Sequence, residues 1–146
     1  SLYARYLLGK DAGIPPPIDL KFERRNGDLV RALIRAGFVS ACHDISDGGL
    51  LVAIAEMCLA GKRGVNLNIS DNPSELFGED QGRYLISTTS DSLNQVLEQS
   101  HEANVPVRSI GEVGGDTLTL NSANAISISE LNTMHERWFP SYTETG

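Results

Sequence analysis

Apolar residues at Leu50, Leu51, Ala53, Ile54, Met57 and Cys58 recur at helical spacing, and the run before them, Gly37 to Cys42, is short and apolar enough for a buried strand. Between the two lies a polar knot, His43-Asp44-Ile45-Ser46-Asp47-Gly48-Gly49, which the pattern places at a strand-to-helix turn. Upstream, Leu2 to Leu8 carries apolar and aromatic residues suited to a short helix or strand. Residues 9–18, with three consecutive prolines, break regular structure and read as a linker or extended lead-in. Asp19 caps the next predicted helix, with Phe22, Leu29, Val30, Leu33 and Ile34 as its buried stripe. Glu23, Arg24, Arg25, Asp28, Arg31 and Arg35 form its solvated face, and Gly37 ends it.

Beyond the central helix, Ala60 to Gly64 turns the chain and Val65 to Ile69 alternates as a half-buried strand does. Asn72 to Phe77 reads as a short helix with proline in its first turn. It delivers the chain into a second polar knot, Gly78-Glu79-Asp80-Gln81-Gly82, ahead of a strand from Arg83 to Thr88. Asp91 or Ser92 caps a helix carrying Leu93, Val96 and Leu97 and ending near Ala103-Asn104. Val105 to Ile110 is strand-like and Gly111 to Asp116 a turn. Residues 117–120 and 125–128 pair as a hairpin, and Ser129 caps a last helix, Glu130 to about Phe139, in which Leu131, Met134, His135, Trp138 and Phe139 pack. This order predicts an α+β domain with a mixed or antiparallel sheet covered by helices, and 146 residues is the size of one domain.

Charge and composition narrow the function classes. The formal charge is −7 and the basic residues are scattered, which argues against a nucleic-acid or anionic-membrane surface. No apolar run approaches the about 18 residues of a spanning helix, so we expect a soluble protein. Cys42 and Cys58 lie in apolar segments without metal-ligand spacing and read as reduced core residues of a cytosolic protein. The chain opens on Ser1-Leu2-Tyr3 rather than on Met, inside an apolar stretch, and we expect a piece of a longer polypeptide.

The chemistry-bearing residues sit in the two knots. Asp44 with Ser46 or Asp47 supplies the hard oxygens that magnesium takes alongside phosphate, next to a helix start whose N–H groups suit an anion. Glycines at 48 and 49 let backbone approach closely. Taken alone, the same residues read first as an ordinary helix cap followed by a tight turn. His43 reads as a hydrogen-bonded structural residue rather than a general base. Glu79 and Gln81 suit a polar substrate or metal, or simply a water-facing loop. His101 and His135 have no ligand partner at helical spacing, and neither G-x-G-x-x-G nor G-x-x-x-x-G-K-[ST] occurs.

Taken together, His43 to Leu50, Ala55-Glu56-Met57 and Ala60-Gly61 resemble the hallmark of the phosphoribosylformylglycinamidine synthase family of purine biosynthesis. Ser1-Leu2-Tyr3, Glu23-Arg24-Arg25-Asn26-Gly27-Asp28 with its proline-rich lead-in, Phe77 to Arg83, and Trp138-Phe139-Pro140-Ser141-Tyr142 agree with it. The resemblance implies the last domain of a four-domain chain. Residues 19–146 would be a C-terminal-type domain of the aminoimidazole ribonucleotide synthetase superfamily, and residues 1–18 the lead-in from the preceding domain. It also implies, for the full chain, a cytoplasmic ATP-dependent carbon–nitrogen ligase. That enzyme makes formylglycinamidine ribonucleotide from formylglycinamide ribonucleotide with ATP, magnesium and glutamine-derived ammonia.

By the same resemblance Asp44 matches a magnesium ligand and Ser46 a nucleotide contact, with Asp47, Gly48 and Gly49 completing the candidate ATP/ADP turn. Glu79, Asp80 and Gln81 correspond to a Glu-Ser-Gln substrate triplet; Asp80 departs from it and would repel an anionic substrate. No catalytic residue is implied in this chain. ATP and Mg2+ would be shared with an N-terminal-type domain, so the piece alone is expected to be inert. Partners would be the remaining domains of its own chain and glutaminase and small accessory subunits, kept separate because no glutaminase domain follows Tyr142. A non-catalytic interaction module, or a thiamine-monophosphate or selenophosphate type kinase of the superfamily, are the alternatives.

Overall fold

The structure, a computed structural model, describes residues 1–10 and 17–144, with side chains as far as Arg137. The proline run at 15 and 16 and the packing expected of Trp138 and Phe139 lie outside the described residues. The chain falls into two compact units, residues 1–54 with 71–109 and residues 55–70 with 110–146.

The first unit opens with helix α1, Leu2–Leu7, followed by α2, Leu20–Arg35. Asp19 caps α2 as expected, its Oδ1 accepting from Lys21 N–H and Phe22 N–H at 3.0 and 3.1 Å. Leu29 and Leu33 are buried, but Ile34 is exposed and Asn26 is buried instead. Positions 26, 29 and 33 lie along one helical line, and Ile34 sits at its edge. Leu29 and Leu33 form the core with Val96 and Val105, against which Phe38, Val39 and Ile86 pack.

Strand β1 is Ala41–Asp44 and pairs antiparallel with β3, Tyr84–Ser87, with Asp44 opposite Tyr84. The expected buried strand at 37–42 is therefore displaced. Phe38 and Val39 serve the helical core without joining the ladder, and β1 is largely exposed because a two-stranded ribbon covers little of itself. Cys42 is accordingly exposed rather than core, whereas Cys58 is buried. Burial raises both thiols, and the Asp44 carboxylate adds to the effect at Cys42. Helix α3, Gly49–Gly61, buries Leu50, Ala53, Ile54 and Cys58 on the predicted face. The four-residue α4, Pro73–Leu76, is capped by Asn72; α5, Leu93–Glu102, has Ser92 at its N-cap but without a side-chain bond, and follows a 3-10 turn capped by Thr89.

The second unit holds a mixed sheet. β2, Val65–Leu67, lies between β4, Gly111–Val113, antiparallel to it, and β5, Thr117–Leu120, parallel; β6, Asn124–Ser127, closes the predicted hairpin with β5. Val65, Leu67 and Ile69 alternate inward as expected. Residues 105–110 are not a strand, and the pairing falls instead on the segment predicted as a turn. Pro106 has no N–H to give a ladder, whereas Gly111 lets the Asn66 carbonyl come where a Cβ would stand at 2.2 Å. Helix α6, Ile128–Glu144, starts two residues earlier than expected, because Ser127 Oγ and not Ser129 accepts Glu130 N–H at 3.1 Å. Met134 and His135 on it are exposed. The α+β class with a mixed sheet is as the sequence predicts, and no described helix is long and apolar enough to cross a membrane.

Candidate functional site

The first knot leaves β1 through Ile45, which is buried and whose N–H still bonds Arg83 O at 2.9 Å. The backbone then turns at Gly48 and Gly49, both left-handed with φ of +82° and +76°. Gly49 N–H bonds the Ser46 carbonyl at 3.0 Å, and Gly48 N–H bonds Glu79 Oε1 at 3.1 Å. The capping duty thus falls on a carboxylate 31 residues away. Among the described residues neither the Ser46 hydroxyl nor the Asp47 carboxylate bonds the helix start, and both stay exposed.

The second knot lies directly against the first. A Cβ on Gly49 would stand 2.6 Å from the Phe77 carbonyl carbon and 2.9 Å from Gly78 O, so the two backbones meet where only glycine fits. Between the knots is a cleft of about 370 Å³ lined by Glu23, Asp44, Ile45, Ser46, Asp47, Glu79, Gln81, Gly82, Arg83 and Tyr84. Of the predicted site residues, Asp44, Ser46, Asp47, Glu79 and Gln81 meet there. Gly48 and Gly49 are buried behind it, and Asp80 turns away to Arg83, Oδ2 to Nη1 3.7 Å. The Asp44 side chain is 68% exposed, with His43 Nδ1 at 3.7 Å from its Oδ1 and 2.6 Å from its carbonyl oxygen. His43 is therefore a local brace, as read from the sequence.

Glu23, Arg83 and Tyr84 were not foreseen at the site, nor was Asn26, whose Nδ2 donates to Gly82 O at 2.9 Å. Glu23 is half-buried on what the sequence suggests is a solvated face; its Oε1 and Asn26 Oδ1 are buried without a protein partner. One signal could have found them. Asn26-Gly27 are poor helix formers in a helix interior, and such local inconsistency marks positions held for another reason.

Burial works to raise the Glu79 pKa, but the bonds from Leu2 N–H and Gly48 N–H outweigh it and hold the carboxyl below the ordinary glutamate value. A depressed folded value means the two bonds stabilise fully above the free-glutamate range, about pH 4.3. That stability is lost only as pH falls through the lower, folded value. Amide exchange at Leu2 and Gly48, corrected for intrinsic rates, is expected to stay protected down to that range and to open below it. Protection lost already near neutral pH would contradict this.

Magnesium prefers several oxygen ligands and retains waters. Among the described residues no three His, Cys, Asp or Glu side chains gather to hold a metal. One exposed carboxylate with a neighbouring hydroxyl fits a partial, shared site.

The fold and site define a C-terminal-type domain of the AIR synthase class: a family model for "AIR synthase related protein, C-terminal domain" matches residues 1–121, and the chain belongs to that family. Among curated relatives, the phosphoribosylformylglycinamidine synthase subunit PurL of Rhodospirillum rubrum is 47% identical over 97% of this chain and 20% of its own length. The PurL subunit of Methylocella silvestris is 51% identical, also over 97% of this chain and 20% of that protein. The chain thus spans about a fifth of the length of the curated relatives it matches. In three dimensions it is similar to Thermotoga maritima PurL complexed with FGAR, with a TM-score of 0.70 at 18% identity, covering 85% of this chain and 23% of that one. The T. maritima PurL complex with ATP gives 0.68 at 17% identity, over 79% and 22%.

Proposed function

We propose that the chain is the C-terminal domain, residues 19–146 with a lead-in at 1–18, of a cytoplasmic phosphoribosylformylglycinamidine synthase subunit. The full enzyme would convert formylglycinamide ribonucleotide to the amidine with ATP and glutamine-derived ammonia. In it, Asp44, Ser46 and Asp47, on the Gly48-Gly49 turn, form one wall of a nucleotide site completed by another domain. One observation carries this reading: the side chains that could have capped α3 are left exposed on a shared cleft, while Glu79 bonds the turn in their place. Asp44 would hold Mg2+ together with phosphate oxygens and waters, and the ion would neutralise charge on the phosphates. Glu79 is engaged by backbone and Asp80 by Arg83, which leaves Gln81 as the member of the triplet free to meet a substrate and favours a supporting role for this domain. Partners are the remaining domains of the same subunit, and glutaminase and small accessory subunits, in line with the T. maritima assembly described as PurLQS.

The test is calorimetric titration of ATP with magnesium into the full-length subunit and its Asp44→Ala variant. Because the carboxylate is exposed, the variant should melt within about 0.5 kcal/mol of the parent. Its nucleotide affinity should fall about tenfold or more, the usual consequence of weakening a metal site. Unchanged affinity at every nucleotide site would overturn the assignment. The 146-residue chain alone is expected to bind without micromolar affinity, since most ligands lie elsewhere.

A further inference from the structure

Two separate contacts run from α1 to the glycine pair of the turn. Glu79 Oε1 accepts Leu2 N–H at 2.7 Å and Gly48 N–H at 3.1 Å, so one oxygen ties the first turn of α1 to the start of α3. Independently, the Tyr3 ring stacks on Phe77, centroids 4.5 Å apart and planes 14° from parallel. The Phe77 backbone is in turn the surface against which Gly49 is pressed. No residue of α1 is buried, and Tyr6 and Leu7 are 74% and 72% exposed, so its seat depends on contacts of this kind. The links arrive at adjacent residues, Gly48 and Gly49, which follow Ser46 and Asp47 directly in the turn. Glu79 also lines the cleft, whereas Tyr3 is not part of its lining.

We propose that Glu79 and Tyr3 are positioning residues that couple the seating of α1 to the geometry of the 46–49 turn. Displacing α1 then loosens the turn, and by reciprocity whatever steadies the turn steadies α1. The ligand in this statement rests on the nucleotide reading above; the coupling itself does not.

Hydrogen exchange on the full-length subunit, following residues 2–8 and 45–50, separates the two. Glu79→Ala, through loss of two bonds to a charged acceptor, and Tyr3→Ala, through loss of the ring stack, are each expected to speed exchange about tenfold in both segments. Glu79→Gln keeps an acceptor oxygen and should restore much of the protection. Tyr3→Leu, which retains apolar cover without the ring stack, should repeat the pattern if Tyr3→Ala folds poorly. ATP with magnesium should slow exchange at 2–8 in the parent, and Tyr3→Leu should weaken its binding several-fold while Asp44 is intact. Faster exchange confined to 2–8 in the Tyr3 variants, or to 45–50 in Glu79→Ala, would refute the coupling. Nucleotide that protects neither segment of a parent in which the variants still loosen both would count against the nucleotide turn and leave the coupling standing.

Discussion

Replacing Gly49 with alanine is expected to destabilise the folded chain by about 2 to 5 kcal/mol, with the 46–49 turn the first part to give way. Two costs add. The residue has φ +76°, and an L side chain there costs about 1–2 kcal/mol. Its Cβ would also lie 2.6 and 2.7 Å from the Phe77 carbonyl carbon and Cα, so the relief must come from backbone, which overpacking data put at about 1–3 kcal/mol. Gly37 provides the control. It is also left-handed, with φ +77°, but its Cβ would meet nothing within 4 Å. Gly37→Ala should therefore cost only about 1–2 kcal/mol. Urea titrations of both variants in the full-length subunit, compared by midpoint at unchanged slope, check this ordering. Equal losses, or a Gly49→Ala loss below about 0.5 kcal/mol, would show that the knots do not meet backbone to backbone.

Leu33→Ala is expected to be the other large effect, about 3 to 5 kcal/mol. Leu33 is 0% exposed, at the centre of the cluster with Leu29, Val96 and Val105, and Phe38, Val39 and Ile86 close over it. Removing its isobutyl end forfeits transfer free energy and leaves a cavity that two helices joined to rigid turns can only partly collapse. Leu33→Met, nearly equal in volume, should cost less than about 1.5 kcal/mol. A Leu33→Ala loss as small as that of Leu33→Met would mean that the α2–α5 core is not packed as described.

These two predictions rest on different kinds of information. The helical stripe around Leu33 and the Asp19 cap are properties of consecutive residues, so they were legible along the chain. So were the alternation of Val65, Leu67 and Ile69, and the hairpin at 117–127, each set by spacing, propensity and turn chemistry. The strand-to-helix turn at 43–49 was placed on the same basis, and so were the residues of both polar knots as separate candidates.

Which of those candidates meet, and what each is free to do, depended on contacts across long stretches of chain. Nothing near Glu79 in sequence announces that its carboxylate bonds Leu2, 77 residues away, and Gly48, 31 residues away, relieving Ser46 and Asp47 of capping. Asn26 is polar and lies within an amphipathic pattern, yet it is buried because its amide is the donor for Gly82. Phe38 and Val39 read as a buried strand but fill the helical core, leaving β1 exposed and Cys42 at the surface. The period of a segment follows from its own residues, so the sequence by itself determined the elements and the local chemistry. Burial, bond partners and the shared cleft require two segments to be brought together by the packing of the rest, and only the tertiary structure decided them.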